Sequence, residues 1–161
     1  MPESFGKYVI ERKLGQGGMA TVYLAVDPAL NRRVALKVIT ASDEPDAIER
    51  FQREARAVAK LRHPNIVQVY ETGAAPTEDG TGEQHFLAME YIEGASLDTL
   101  VKSKSPALTP QNITRIIIQT ATALEFAHSQ GIIHRDVKPA NILIDKKGKV
   151  FLADFGLAKE L

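Results

Sequence analysis

The 161-residue sequence contains no cysteine and carries no formal net charge. The absence of cysteine excludes a disulfide framework, a thiolate metal site and a cysteine nucleophile. Because 20 basic residues balance 20 acidic residues, a broadly charged surface for nucleic acid or membrane is not expected, although the balance leaves room for a local basic cleft. The sequence also lacks a signal-peptide-like N-terminus and an apolar run that could span a membrane. We therefore expect a cytoplasmic domain that does not bind nucleic acid.

The remaining composition is that of one globular domain. With 44% hydrophobic and 25% charged residues, the chain can bury roughly 70% of its unfolded surface in a single core. Alternating apolar residues predict strands over Tyr8 to Leu14, Thr21 to Val26, Arg33 to Thr40, Ile66 to Thr72 and Phe86 to Glu90. Helical spacing within PDAIERFQREARAVAKL places five apolar residues on one inward stripe, namely Ile48, Phe51, Ala55, Val58 and Leu61.

The second part of the sequence changes character after Ile92. Ser96 is suited to cap a short helix, and Thr109 to cap a long one that runs from about Pro110 to Ser129. Short strands are predicted at IIH, NILI and VFLA, with polar loops between them. The sequence therefore predicts an α+β fold, with a β-rich first part that holds one helix and a helical second part.

The stretch LGQGGMATVYLAV contains glycines with the spacing Gly15-x-Gly17-x-x-Ala20. This spacing fits a dinucleotide-binding fingerprint and also a flap that covers phosphates. A dinucleotide site needs the glycines to open a helix and an acidic residue about 20 positions later. Here a β-branched segment follows the glycines, and Lys37 stands in the later region. The flap is favoured over the dinucleotide site, but a plain β-hairpin turn explains the loop alone equally well.

Two charged residues stand among apolar ones. Alternation in VALKVI puts Lys37 on a strand face with Ala35 and Ile39, so its ammonium should be partly enclosed and need a counter-charge. Glu54 lies on or beside the inward stripe of the first helix. We expect an ion pair between Lys37 and Glu54, although a snorkelling lysine and an ordinary helix-edge glutamate are the alternatives for each residue taken singly.

The segments HRDVKPAN and DFG, at residues 134–141 and 154–156, bring further polar groups into loops. Asp154 and Asn141 offer the hard oxygen ligands that Mg²⁺ prefers. Asp136 could accept a hydroxyl proton, and Lys138 could neutralise a moving phosphoryl group. Taken one at a time, such residues are usually solvated loop groups.

Together and in this order, the glycine loop, VALK, the helix glutamate, HRDVKPAN and DFG resemble the signature of protein kinases. Residues 8–159 are similar to the N-terminal part of a Hanks-type bacterial Ser/Thr protein kinase. The resemblance implies a protein-kinase-like fold with an N-lobe over residues 1–89, a hinge over 90–95 and a partial C-lobe over 96–161.

The same resemblance implies the nucleotide-binding residues. Gly15, Gly17 and Gly18 would lie above the ATP phosphates, while Lys37 would contact the α- and β-phosphates and pair with Glu54. In the hinge, Met89 would be the gatekeeper, with the Glu90 carbonyl and the Ile92 N–H facing adenine. Apolar residues would enclose the purine from both sides, namely Leu14, Val22, Ala35 and Leu143.

The catalytic residues also follow from the resemblance. Asp136 would be the catalytic base or hydroxyl orienter, and Lys138 would contact the γ-phosphate. Asn141 and Asp154 would hold Mg²⁺ or Mn²⁺. The implied partners are ATP and proteins that present a serine or threonine hydroxyl.

Two features qualify this expectation. Ala20 stands where the family has the third glycine of the loop, and a side chain this small should be tolerated.

The sequence ends just after DFG, where the family continues with an activation loop and more helices. We therefore expect the isolated chain to be nearly inactive, with a nucleotide-binding module as the alternative. The full-length protein could carry a membrane anchor beyond this chain. Small-molecule phosphotransferases of similar fold are disfavoured by Lys138-Pro139 and the full glycine loop.

Overall fold

The computed structural model describes residues 3–17, 20–39, 45–77, 80 and 82–155. Among these residues, two compact units are distinguished by their internal contacts. The first unit comprises residues 3–59 and 69–91, and the second comprises 60–68 and 92–155. Within the described ranges, no helix is long and apolar enough to cross a membrane. The lobe boundaries implied by the resemblance remain a prediction.

The first unit is built on a six-stranded antiparallel sheet with the strand order β1-β2-β3-β4-β6-β5. Each of the five strands expected in this part of the sequence is present within a few residues of its predicted ends, except that the fourth starts and ends later. The strands are β1 (Ser4–Phe5), β2 (Tyr8–Gln16), β3 (Ala20–Asp27), β4 (Arg32–Ile39), β5 (Val69–Pro76) and β6 (Glu83–Glu90).

The two faces of this sheet have different surroundings. Val34, Leu36 and Val38 point to one face and are almost fully buried, whereas Ala35 and Lys37 point to the other and are half-buried. The predicted alternation in β4 is therefore confirmed. The buried face is the apolar core of the unit, formed by Phe5, Tyr8, Ile10, Ala25, Val34, Leu36, Val38, Ala75, Phe86 and Ala88.

Helix α1 (Pro45–Ala59) lies against β5. Phe51, Ala55 and Val58 are buried at helical spacing, which confirms the predicted stripe in its centre. The ends of the stripe differ from the prediction. Ile48 is only half-buried, and Leu61 is buried but follows the last residue of the helix.

The second unit combines two helices with a small sheet. Its elements are β7 (Gly94–Ser96), α2 (Leu97–Lys102), α3 (Pro110–Ser129), a 3-10 turn (Pro139–Asn141), β8 (Ile142–Asp145) and β9 (Val150–Leu152). The strands form an antiparallel sheet in the order β7-β8-β9. Both predicted caps are confirmed, because the hydroxyls of Ser96 and Thr109 accept hydrogen bonds from the N–H groups of Thr99 and Asn112.

Helix α3 buries only part of its apolar surface within the unit. Ile116, Thr120 and Ala127 are buried, whereas Ile113 and Ile117 are 42% and 61% exposed. The sequence therefore predicted the length and the cap of α3 correctly. The apolar stripe of α3 is wider than the surface that the rest of the unit covers.

Three sequence-based expectations about local structure are wrong. IIH (132–134) is not a strand, and the Ile132 N–H instead donates to the Ala127 carbonyl, which closes the turn after α3 ends at Ser129. The loop between the fourth and fifth predicted strands is shorter than the predicted gap from Thr72 to Phe86, because β5 continues to Pro76 and β6 starts at Glu83. Strands β1 and β7 were missed since each has only two or three residues, too few for an alternating pattern.

Candidate functional site

The glycine loop joins two antiparallel strands. Gly15 pairs with Val22 across β2 and β3, and the Gly17 N–H donates to the Ala20 carbonyl at 2.8 Å. The segment after the glycines is a strand, as predicted, so the loop does not open a helix as a dinucleotide site requires. A Cβ built on Gly15 meets no atom within 4 Å, so packing does not demand glycine there. Gly18 lies outside the described residues.

Strand register brings the predicted nucleotide-binding residues of the first unit onto one face of the sheet. Val22 pairs with Lys37 and Lys37 with Leu87, while the next rung pairs Ala35 with Met89. Directly paired residues in antiparallel strands project from the same face, about 5 Å apart at Cβ. The glycine loop, Lys37 and Met89 therefore share the face opposite the apolar core.

The other residues that the sequence predicted to bind the nucleotide differ in their exposure to solvent. Lys37 and Glu54 are both half-buried, and their ion pair remains a prediction. Glu90 ends β6 and is half-buried, whereas Leu14 in β2 is exposed. In the second unit, Ile92 follows the last residue of the first, and Leu143 lies half-buried in β8.

His134 organises the loop that carries the predicted catalytic residues. Its Nδ1 accepts the Asp136 N–H at 3.1 Å, so the ring proton belongs on Nε2, which donates to the Ala153 carbonyl at 2.7 Å. The ring also contacts Phe155, with centroids 4.5 Å apart. Burial lowers the pKa of His134, while the Ala153 hydrogen bond and the carboxylates of Asp136 and Asp154 oppose that shift. The neutral imidazole fits both hydrogen bonds.

The Asp136 carboxylate is held by two neighbours from the same loop. The Asn141 Nδ2 donates to the Asp136 carbonyl at 2.9 Å and to its Oδ2 at 3.2 Å. The Lys138 ammonium lies 3.3 Å from the same Oδ2. The Asp136 side chain is 16% exposed and that of Lys138 51% exposed. The carboxylate is thus oriented from within the loop, while the lysine still reaches solvent.

Two residues of this region adopt a backbone conformation that L-amino acids disfavour. Arg135 has φ +62° and Asp154 has φ +52°. Each such residue costs about 1–3 kcal/mol of backbone strain, and strained residues cluster at functional sites. Asn31 and Lys104 adopt the same conformation in turns away from this region, so the conformation fits a functional loop but does not identify one by itself.

The predicted metal ligands offer suitable donors. Asn141 uses its Nδ2 toward Asp136, which leaves its Oδ1 as the side-chain atom that could act as a neutral oxygen ligand. Asp154 adds a half-buried carboxylate. Such a pair suits Mg²⁺, which is commonly held by one or two side chains together with substrate phosphates. Among the described residues, no group of three or more His, Cys, Asp or Glu side chains is placed so that it could hold a metal ion by itself.

Sequence reasoning missed a polar network that fixes β9, the strand that precedes Asp154. The Asn65 Nδ2 donates to the Gln119 Oε1 and to the Val150 carbonyl, both at 2.8 Å. The Val150 N–H donates to the same Gln119 oxygen at 3.1 Å. The available signal was weak, since Asn65 is one polar residue directly before the apolar pair Ile66-Val67.

Comparisons with known proteins agree with the motif-based reading. The family described as the protein kinase domain matches residues 8–161. Serine/threonine-protein kinase PknA of Mycobacterium tuberculosis is 42% identical over 96% of this chain and 36% of its own length. For serine/threonine-protein kinase PknB of Mycolicibacterium smegmatis, the identity is 45% over 96% of this chain and 25% of its own. The chain thus spans about a quarter to a third of these relatives.

A solved structure has a similar fold. The crystal structure of the Mycobacterium tuberculosis PknI kinase domain matches with a TM-score of 0.79 and 35% sequence identity. The match covers 96% of this chain and 61% of that one.

Proposed function

Because the chain belongs to the protein kinase family, in its bacterial Hanks-type Ser/Thr branch, we propose that it supplies the nucleotide-binding and phosphoryl-transfer residues of an ATP-dependent Ser/Thr protein kinase. The protein-kinase fold expected from the sequence is confirmed by the PknI likeness. The observation that carries the proposal is the contact of Asn141 and Lys138 with one oxygen of Asp136. A carboxylate oriented in this way suits a base that acts on a hydroxyl group.

The catalytic roles follow from this arrangement. Asp136 accepts the proton that a substrate serine or threonine hydroxyl gives up as its oxygen attacks phosphorus. Lys138, half exposed beside that carboxylate, stabilises the charge on the transferred phosphoryl group. Asn141 and Asp154 would hold Mg²⁺ or Mn²⁺, and the bound cation would neutralise charge on the ATP phosphates. The His134 hydrogen bonds keep the Asp136 backbone in place.

The first unit is proposed to bind the nucleotide. Backbone N–H groups of the glycine loop contact the phosphates, and Lys37 adds a charged contact with Glu54 as its counter-charge. The shared sheet face of Val22, Ala35, Lys37 and Met89 supports this assignment. The backbone of Glu90 supplies a contact for adenine, and Leu14 adds to the apolar surroundings.

We further propose that the isolated chain binds nucleotide but transfers phosphate very slowly. It matches only 25–36% of the length of the kinases above, and three isoleucines of α3 remain exposed. The whole protein is expected to act on protein substrates. The alternative function is a nucleotide-binding module without transfer activity.

An Asp136→Asn substitution tests the catalytic proposal. Phosphate transfer from labelled ATP–Mg²⁺ to a basic protein substrate is measured with the 161-residue chain and with a version extended through a complete kinase domain. Removing the base should lower the rate of the extended version by about 10²–10⁴. The chain alone should not exceed its own Asp136→Asn control.

Two results would contradict these proposals separately. Full activity of the extended Asp136→Asn variant would remove the catalytic role of Asp136. Clear activity of the 161-residue chain above its control would overturn only the claim that this chain is nearly inactive. Titration with a fluorescent ATP analogue, using Lys37→Met as the control, distinguishes nucleotide binding from transfer.

A further inference from the structure

The second unit contains a groove of about 450 Å³ that the proposed chemistry does not use. It lies between β7, the end of α2, the segment before α3, the first turns of α3 and the β8–β9 turn. None of the proposed catalytic or metal-binding residues lines it. Its volume is in the range of ordinary ligand pockets. The groove therefore needs an explanation of its own.

The floor of the groove is apolar. Four aliphatic side chains, from α2, the segment before α3, α3 and β8, line it together with two alanines, namely Leu100, Leu108, Ile116, Ile144, Ala95 and Ala107. Aliphatic surface of this kind is stabilised by contact with apolar side chains of a partner. A bare inorganic anion would leave this floor in water.

The rim of the groove is basic. Arg115, Lys146 and Lys147 line it, and Asp145 is the acidic residue among the lining residues. Lys146 is paired with Glu93 at 2.6 Å, and the Asp145 Oδ1 accepts the N–H groups of Lys147 and Lys149. Within the described part of the chain, Arg115 and Lys147 have no ion-pair partner. Two cations are thus available to an acidic ligand.

One wall of the groove is the edge of a sheet. β7 is the outer strand in the order β7-β8-β9, and its Gly94 and Ala95 line the groove. An edge strand beside an apolar floor suits a ligand in extended conformation, because main-chain hydrogen bonds and side-chain contacts can form together.

We propose that this groove docks an extended peptide segment of a partner protein, with two aliphatic side chains on the floor and an adjacent acidic side chain at Arg115 and Lys147. The charge of the rim disfavours a basic segment, and the apolar floor disfavours nucleic acid. The proposal does not depend on phosphoryl transfer, because it concerns binding at residues outside the catalytic loop.

Selection from a random 12-residue peptide library tests the proposal. The whole chain is the bait, and selected peptides are measured by fluorescence polarisation. We expect enrichment of peptides with two aliphatic residues beside Asp or Glu, with affinity that falls as salt is raised. Arg115→Glu/Lys147→Glu should weaken binding by at least about tenfold. Ala107→Trp, which fills the groove from an exposed position, should weaken binding without changing charge.

Matched controls make the result decisive. Arg53→Glu/Lys60→Glu reverses two exposed cations elsewhere and should leave peptide affinity unchanged. Circular dichroism verifies that each variant is folded. Selected peptides without acidic residues, equal effects of the two charge reversals, or binding that survives Ala107→Trp would each overturn the proposal. The proposal would also be overturned if single-stranded DNA competed for the groove more strongly than the selected peptide does, since the groove would then be a nucleic-acid site.

Discussion

The two units hold their predicted functional residues by different means. In the first unit, Lys37 and Ala35 take their positions from the register of β4 between β3 and β6. In the second, Asp136 takes its position from single polar contacts to His134, Lys138 and Asn141. Backbone pairing in a sheet tolerates many side chains, whereas a loop of this kind depends on particular ones. The first unit should therefore be sensitive to lost core volume, and the second to individual hydrogen bonds and backbone conformations.

The sequence offers a spectroscopic means of separating the units. It contains no tryptophan and four tyrosines, and Tyr8, Tyr23, Tyr70 and Tyr91 all lie in the first unit. Tyrosine fluorescence therefore reports unfolding of the first unit alone. Hydrogen exchange of buried α3 amides, such as that of Ala123, reports the second unit.

The largest effect is expected from loss of core volume in the first unit. Leu36 is fully buried in the apolar core, so Leu36→Ala should lower the free energy of unfolding by about 2–5 kcal/mol. Urea denaturation followed by tyrosine fluorescence measures it. Leu30→Ala, at a position 63% exposed, is the control and should change little. Similar losses from both substitutions would contradict the assignment of the core to this sheet face.

A smaller effect is expected from a glycine of the second unit. A Cβ on Gly94 would lie 1.9 Å from the Ile144 carbonyl oxygen in the paired strand. Because backbone must shift to admit it, Gly94→Ala should destabilise the second unit by about 1–3 kcal/mol. Gly82→Ala in the first unit, where a Cβ meets nothing within 4 Å, should stay within about 0.5 kcal/mol. Hydrogen exchange and tyrosine fluorescence measure the respective units, and equal tolerance of both substitutions would refute the steric argument.

The contrast between strand register and loop contacts explains how much of the fold and of the candidate site could be predicted from the sequence. Alternation predicted the strands around Lys37 and the buried side chains of β4, because the period of a strand is visible in a few residues. Capping residues predicted the start of α3 at Pro110. The positive φ of Arg135, the bond from Asn141 to Asp136 and the Asn65 network were not predicted. These depend on contacts between residues far apart in sequence or on loop geometry, and neither leaves a periodic pattern.

The Asn65 network should show measurable coupling within the second unit. Asn65 and Val150 both donate to the Gln119 Oε1, so either truncation leaves polar groups without partners. The double-mutant cycle of Asn65→Ala and Gln119→Ala should give a coupling energy of about 0.5–1.5 kcal/mol, measured by exchange of the α3 amides. Asn65→Ala paired with Thr114→Ala, at the start of α3, should be additive. Strict additivity in the first cycle would mean that the network does not stabilise β9.

The smallest effect should be a pH dependence of the second unit that arises from His134. Burial lowers its native pKa, and the Ala153 hydrogen bond and two carboxylates limit that shift. The unfolded chain has an ordinary pKa of about 6.5, so just below that pH the unfolded state binds more protons. As pH falls from about 6.5 toward the lower native pKa of His134, the free energy of unfolding must therefore fall. Above about 6.5, this residue contributes no pH dependence. A protonated ring would also lose the Nδ1 acceptor that holds the Asp136 N–H.

Imidazole NMR titration gives the native pKa directly, and amide exchange between pH 7.5 and 5.5 gives the stability. Replacement of the exposed His128 by Gln should preserve the dependence, whereas a native pKa of His134 above 6.5 would reverse its sign and contradict the hydrogen-bond assignment.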